Sequence, residues 1–116
     1  MSNYTVLVCG GRDFDDAQLF VGGMSLLPRK PTRIIHGGAK GADTMAGTWA
    51  AMNGVPCEVY QADWATYGKA AGPVRNAEML EYGKPDAVIA FRGGRGTEDM
   101  VKKARKAGIE VFVVNG

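Results

Sequence analysis

Val6-Leu7-Val8-Cys9-Gly10-Gly11-Arg12-Asp13-Phe14 is the stretch that decides the fold. An apolar run rich in β-branched residues, from Tyr4 to Cys9, breaks off at paired glycines. A strand with one wet face alternates apolar and polar residues, whereas a strand buried on both faces reads as a continuous apolar run. This run therefore predicts a buried strand of a parallel sheet that ends in a glycine-rich loop. The same pattern recurs at Thr32 to His36, ended by Gly37-Gly38, and at Asp86 to Phe91, ended by Arg92-Gly93-Gly94. Pro56 to Gln61 and Ile109 to Val114 complete five predicted strands.

Between the strands the apolar period becomes helical. Asp15-Asp16 open a helix on which Ala17, Phe20, Met24 and Leu27 share a face, with Pro28 as its predicted end. A second helix runs from Asp43 to Met52, presents Ala42, Met45, Ala46, Trp49 and Ala50 on one face, and stops at Asn53-Gly54. Pro73 fits the first position of a third helix that ends near Tyr82, with Gly83 as its stop. Thr97 is the predicted cap of a fourth helix, which ends at Gly108. Strands alternating with helices predict a Rossmann-like α/β fold. Its five-stranded parallel sheet is doubly wound, in the order 3-2-1-4-5, with helices on both faces. Residues 1–116 read as a single domain without linkers, internal repeats or low-complexity segments.

Composition narrows the classes. With 116 residues, 46% of them hydrophobic and 22% charged, the chain can build a core without metals or disulfides. Its 17 glycines are about twice the usual share and cluster at the ends of apolar runs, so they mark loops. The net charge of +2 comes from interspersed acids and bases, not the concentrated basic stripe of a nucleic-acid binder. Lys102, Lys103, Arg105 and Lys106 read as a solvated helix face, with Glu98–Lys102 and Asp99–Lys103 at i,i+4 spacing. Cys9 and Cys57 lie far apart without a C-x-x-C motif, and His36 is the one histidine, so no metal and no cofactor are expected. Both thiols are expected to be buried and reduced. With no signal-peptide pattern and no apolar run approaching 18 residues, the chain is expected in the cytosol of a bacterium or of an infected host, without a membrane partner.

In an open parallel sheet, ligands bind beyond the C-terminal strand ends where the strand order reverses. In the predicted order that crevice lies between the first and fourth strands. Three loops reach it: Gly10, Gly11, Arg12 and Asp13; Gly37, Gly38, Ala39, Lys40, Gly41, Ala42 and Asp43; and Arg92, Gly93, Gly94, Arg95, Gly96 and Thr97. Helix N-termini present unpaired N–H groups and a positive dipole end to phosphate, and glycine lets phosphate approach the backbone. Arg12, Lys40, Arg92 and Arg95 add charge there, and arginine can grip phosphate oxygens in pairs. The plainer reading is that the glycines serve only tight turns. None of the loops matches the G-x-G-x-x-G or G-x-x-x-x-G-K-[ST] patterns.

Other residues carry two readings each. Trp64 either stacks on a base or plugs a core or an interface, and Lys69 meets a phosphate. Both lie in a stretch, Ala62 to Gly72, that is long for a connection in a compact domain. Asp13, Asp43 and Asp63 either bind ribose hydroxyls or support an oxocarbenium-like transition state; for Asp13 and Asp43 the plainer reading is turn or helix capping. Arg75 and Asn76 either reach the ligand or serve the structure. His36, closing an apolar strand, suits a hydrogen bond at the loop.

Three stretches together carry a resemblance: Val6 to Phe14, His36-Gly37-Gly38-Ala39-Lys40-Gly41-Ala42-Asp43, and Gly93-Gly94-Arg95-Gly96-Thr97-Glu98-Asp99-Met100. With Ala62-Asp63-Trp64 and Gly68 to Asn76, they resemble the SLOG superfamily, most closely its small YspA-like branch. The likeness implies a Rossmann-like domain for nucleotides or nucleotide-derived ligands, of a kind often encoded by bacteria and phages, and a homo-oligomer. The superfamily also contains LOG-type phosphoribohydrolases, whose P-G-G-x-G-T-x-x-E motif serves to cleave a base from a ribose 5′-monophosphate. Gly93, Gly94, Gly96 and Thr97 match that motif, and Arg75 matches the arginine of the motif before it. Arg92 stands in place of the proline, and Met100 in place of the catalytic glutamate. Phosphate binding thus carries over better than catalysis. The expectation is a sensor or sequestering protein for an ADP-ribose-like or cyclic nucleotide, in the manner of a phage anti-defence protein. The alternative is a hydrolase of the N-glycosidic bond with Asp43 or Asp63 as its carboxylate.

Overall fold

The computed structural model describes residues 3–115. Its strands are β1 (Thr5–Cys9), β2 (Arg33–His36), β3 (Cys57–Val59), β4 (Ala87–Ala90) and β5 (Glu110–Val113). All pair in parallel, in the order β3-β2-β1-β4-β5, which bears out the expected fold class and topology. The helices are α1 (Ala17–Met24), α2 (Ala42–Met52), α3 (Trp64–Tyr67), α4 (Ala71–Gly83) and α5 (Arg95–Lys106), with a 3-10 turn at Gly68–Ala70.

Every residue of β1 is buried, and successive side chains feed opposite faces of the sheet. Val6 and Val8 join Phe20 of α1, Ala46 of α2, Ile89 and Phe91 in one core. Leu7 and Cys9 join Ile35, Val88, Met79 of α4 and Met100 of α5 in the other. Phe91 anchors the first core, stacked on Phe20 at 4.7 Å and tilted against Phe14 at 5.1 Å between ring centroids. Among the described residues, no helix is long and apolar enough to cross a membrane.

Several element ends differ from the sequence reading. The first helix stops at Met24, ahead of Pro28, where the Ser25 hydroxyl donates back to the Val21 carbonyl and two glycines weaken the last turn. The stretch from Ala62 to Gly72 is not an open loop: it holds α3, the 3-10 turn and the start of α4. Pro73 is the third residue of α4, where its missing N–H is one the helix leaves unpaired anyway. Gly83 lies inside α4 and the left-handed cap falls on Lys84 (φ 46°). A Cβ at Gly83 would come within 2.6 Å of Ile35 Cδ1, so the glycine lets α4 settle on β2. Gly94, not Thr97, occupies the N-cap of α5. The edge strands β3 and β5 are shorter and more exposed than predicted, and Cys57 is exposed while Cys9 is buried. On the basic helix face Asp99–Lys103 pairs, and the expected Glu98–Lys102 pair does not form.

Gly10 marks the closest approach between β1 and α2. A Cβ there would lie 2.5 Å from Ala42 Cβ and 3.1 Å from Phe91 Cβ, both held by their own backbones. Gly10→Ala is therefore expected to cost about 1–3 kcal/mol through overpacking. Urea denaturation should read this as a lower midpoint with an unchanged slope.

Candidate functional site

A cleft of about 1030 Å³ opens at the C-terminal edge of the sheet. Gly10, Gly11, Arg12 and Asp13 form its wall from β1; Gly37, Gly38, Ala39, Lys40 and Asp43 its wall from β2. Arg92, Gly93, Gly94, Arg95, Gly96 and Thr97 bring the wall from β4 and α5, and Trp64, Lys69, Arg75 and Asn76 close the side under α3 and α4. The crevice thus lies at the strand-order reversal between β1 and β4.

The helices divide by how they begin. Asp16 accepts from Leu19 N–H at 3.0 Å at the start of α1, and Asp63 accepts from Thr66 N–H at 3.1 Å at the start of α3. The helices α2, α4 and α5 begin at Gly41, Ala70 and Gly94 without a side-chain cap, and residues of each first turn or its approach line the cleft. The first amide of α2 is taken up internally, since Ala42 N–H donates to the Gly11 carbonyl at 3.3 Å. At α5, a Cβ built on Gly94 or Gly96 would meet nothing within 4 Å. That helix start is therefore bare backbone facing open space.

Beneath the cleft lies a polar scaffold. Asp43 is buried, and its Oδ2 accepts from Gly37 N–H at 3.1 Å and from Ala39 N–H at 3.2 Å, which shapes the loop after β2. Burial pushes its carboxyl up to about 6, against the pull of the Ala39 N–H, the Arg75 charge and the Gly37 N–H. Arg75 spends its Nη1 on the carbonyls of Gly37 (2.7 Å) and Tyr60 (3.4 Å) and its Nε on Asn76 Oδ1 (3.1 Å). Asn76 Nδ2 in turn donates to the Gly96 carbonyl at 3.1 Å and to Asp99 Oδ2 at 3.0 Å, tying α4 to the first turn of α5. Partial burial raises the Asp99 carboxyl, but the Lys103 and Asn76 hydrogen bonds and the nearby lysine charges outweigh it and leave the pKa lowered.

His36 Nδ1 accepts from Gly38 N–H at 3.0 Å, so its proton belongs on Nε2. Burial and then the Arg75 charge hold its pKa below the ordinary value, which keeps the ring neutral. The Cys9 thiol also lines the cleft. Burial, with the Asp43 charge adding and Arg75 opposing, pushes it to about 12 and keeps it un-ionised and poorly nucleophilic.

The structure brings most of the sequence candidates to this one cleft, with three exceptions. Ala42 is fully buried beneath Gly10. Gly41 lines a neighbouring groove instead. Asp63 caps α3, exposed and outside the cleft lining; its hydrogen bonds with Thr66 lower its pKa. Trp64 is 61% exposed, so it does not plug the core. Met100, in the place of the catalytic glutamate, is fully buried in the second core. Sequence reasoning missed Gln61 and Asp99 in the lining. The rule that ligands sit at strand ends already pointed to Gln61, the last residue of the predicted third strand and two residues beyond the end of β3. Asp99 was accounted for by its helix spacing to Lys103, which hides its second face toward Asn76.

The model of the YspA, cpYpsA-related SLOG family matches residues 4–67, more than half of the chain. The chain belongs to this SLOG family. The matched region carries β1, β2, β3 and the first two glycine loops of the cleft. The Gene 61 protein of Mycobacterium phage D29 is similar, 44% identical over 87 residues, which is 68% of each chain. Membership of the SLOG family points to a nucleotide-related function, and a phage protein stands among the chain's relatives.

The Asp43 carboxyl gives a signature in pH. Its folded value, about 6, lies above the 3.8 of a free carboxyl, so folding takes up a proton between those values. The stability this group contributes is fully present below 3.8 and is lost as pH rises through about 6, on the order of 3 kcal/mol in all. Asp43→Asn keeps an acceptor oxygen for both amides and cannot ionise. Measured by urea denaturation against the parent, the variant should gain relative stability between pH 4 and pH 7; Asp43→Ala should lose about 1–3 kcal/mol at pH 4, a deficit that shrinks toward pH 7 because alanine does not ionise either.

Proposed function

We propose that the SLOG protein binds a phosphate-bearing nucleotide or nucleotide-derived ligand, of ADP-ribose-like or cyclic nucleotide type, and senses or sequesters it. One observation carries this reading: the glycine-lined start of α5, without a side-chain cap, opens into the cleft, and Gly96 in its first turn has no internal reason to be glycine. Gly94 and Gly96 have no neighbour to accommodate and no left-handed backbone to adopt. Glycine in place of alanine within a helix costs about 0.5–1 kcal/mol, and close approach of a phosphate to the backbone would account for keeping it. Arg12, Lys40, Arg92 and Arg95 supply positive charge on the walls, while Trp64 and Lys69 suit a base and a further phosphate. Buried Met100 favours holding over turnover, and the phage relative fits a sequestering role. A homo-oligomer belongs to the same reading, supported by exposed Val59 and Val113 on the edge strands; light scattering tests it.

The hydrolase reading rests on Asp43, a cleft carboxyl held near 6, and not on Asp63. Release of free base from nucleoside monophosphates or NAD derivatives would favour it. For the binding reading, calorimetry against ADP-ribose, nucleoside monophosphates and cyclic nucleotides should find a ligand well below millimolar Kd; no binding tighter than about 1 mM (about −4 kcal/mol) would sink it. Gly96→Ala should raise folding stability by about 0.5–1 kcal/mol. It should also weaken the same ligand by about tenfold or more, a cost of about 1.4 kcal/mol.

A further inference from the structure

Beside the cleft runs a second depression of about 860 Å³ between α1 and α2, floored by Phe14, Phe20, Met45 and Trp49. It is not a separate hole. Arg12, Asp13, Phe14 and Lys40 line both it and the cleft, so the two share one wall. Among the described residues, the Arg12 and Lys40 side chains have no hydrogen-bond or ion-pair partner.

We propose that this groove is a second subsite for the same ligand. It takes the distal ring-bearing end of a bipartite nucleotide whose bridging phosphates lie at Arg12 and Lys40. The inference rests on the cleft reading and names the class of ligand: two ring-bearing ends joined through phosphates, not a mononucleotide. Three features favour that occupant. Pockets for small ligands span about 300–1,000 Å³, so the cleft is already at the upper end and the groove nearly doubles it. The shared wall carries two uncommitted cations, Arg12 from the loop after β1 and Lys40 from the loop after β2, where a bridge would pass. The groove offers the Trp49 ring for stacking, while Asp13 and Asp15 at its rim suit ribose hydroxyls.

The chain has two tryptophans, Trp49 in the groove and Trp64 in the cleft, which gives one fluorescent reporter per subsite. Trp64→Phe leaves Trp49 as the reporter, and Trp49→Phe leaves Trp64. Titration with diadenosine diphosphate should change the emission of both; titration with AMP should change Trp64 alone. Val21→Glu, at a groove position 55% exposed and therefore safe for folding, should weaken diadenosine diphosphate at least tenfold and leave AMP within twofold. A dinucleotide that moves Trp64 but not Trp49 overturns this inference and leaves the cleft reading standing. An AMP response at Trp49 as large as the dinucleotide response overturns it too. Silence of both tryptophans toward both probes overturns this inference, while the calorimetric panel decides the cleft reading separately. A ligand-free dimer in sedimentation velocity that Val21→Glu dissociates assigns the groove to a second copy and overturns the subsite.

Discussion

The backbone of Gly11 is where the three loops of the cleft meet. Its N–H donates to the Arg92 carbonyl at 2.7 Å, and its carbonyl accepts from Phe14 N–H at 3.2 Å and from Ala42 N–H at 3.3 Å. A Cβ on Gly41 would collide with the Gly11 carbonyl, and one on Gly93 would lie 2.7 Å from the Gly11 nitrogen. Contact between backbones at this range leaves no room for side chains. It also fixes where α2 and α5 begin relative to β1, because each loop leaves one of three adjacent buried strands. The bare start of α5, the Arg12 and Lys40 crossing and the cleft between them all depend on that junction.

The junction also divides the glycines by purpose. Gly10, Gly11, Gly41 and Gly93 serve close approach within the protein, which accounts for them without a ligand. Gly94 and Gly96 face open space, and these are the positions that argue for a ligand. The charged residues divide likewise. Arg75, Asn76, Asp43 and Asp99 are spent on loop amides, loop carbonyls and one another, forming the base on which the loops rest. These four commitments, with a core methionine at the glutamate position, are what support the proposed holding role over turnover.

The parallel sheet and its order were legible because β1, β2 and β4 are buried on both faces, which leaves an unbroken apolar run as their signature. The edges were less so. Glu58 interrupts Cys57-Glu58-Val59 and Glu110 opens the strand that ends at Val113, and these two strands, at the sheet edges, are the ones covered least. Helix starts were misplaced where local rules compete with packing: Thr97 is a good cap by type, but the Gly93 turn brings its hydroxyl against that glycine and sets the helix start at Arg95. The cleft walls could be read from the strand-end rule. The roles of Arg75 and Asn76 could not, since their partners lie 38 and 20 residues away along the chain.

The most direct test of the central claim is a nitrogen-15 NMR titration of the assigned protein with ADP-ribose and with cyclic nucleotides. The account predicts that a bound ligand shifts the backbone amides of Gly94, Arg95, Gly96 and Thr97 most strongly, downfield as expected for N–H groups that gain a phosphate acceptor. A bound ligand that leaves those four amides unmoved and shifts others would contradict it.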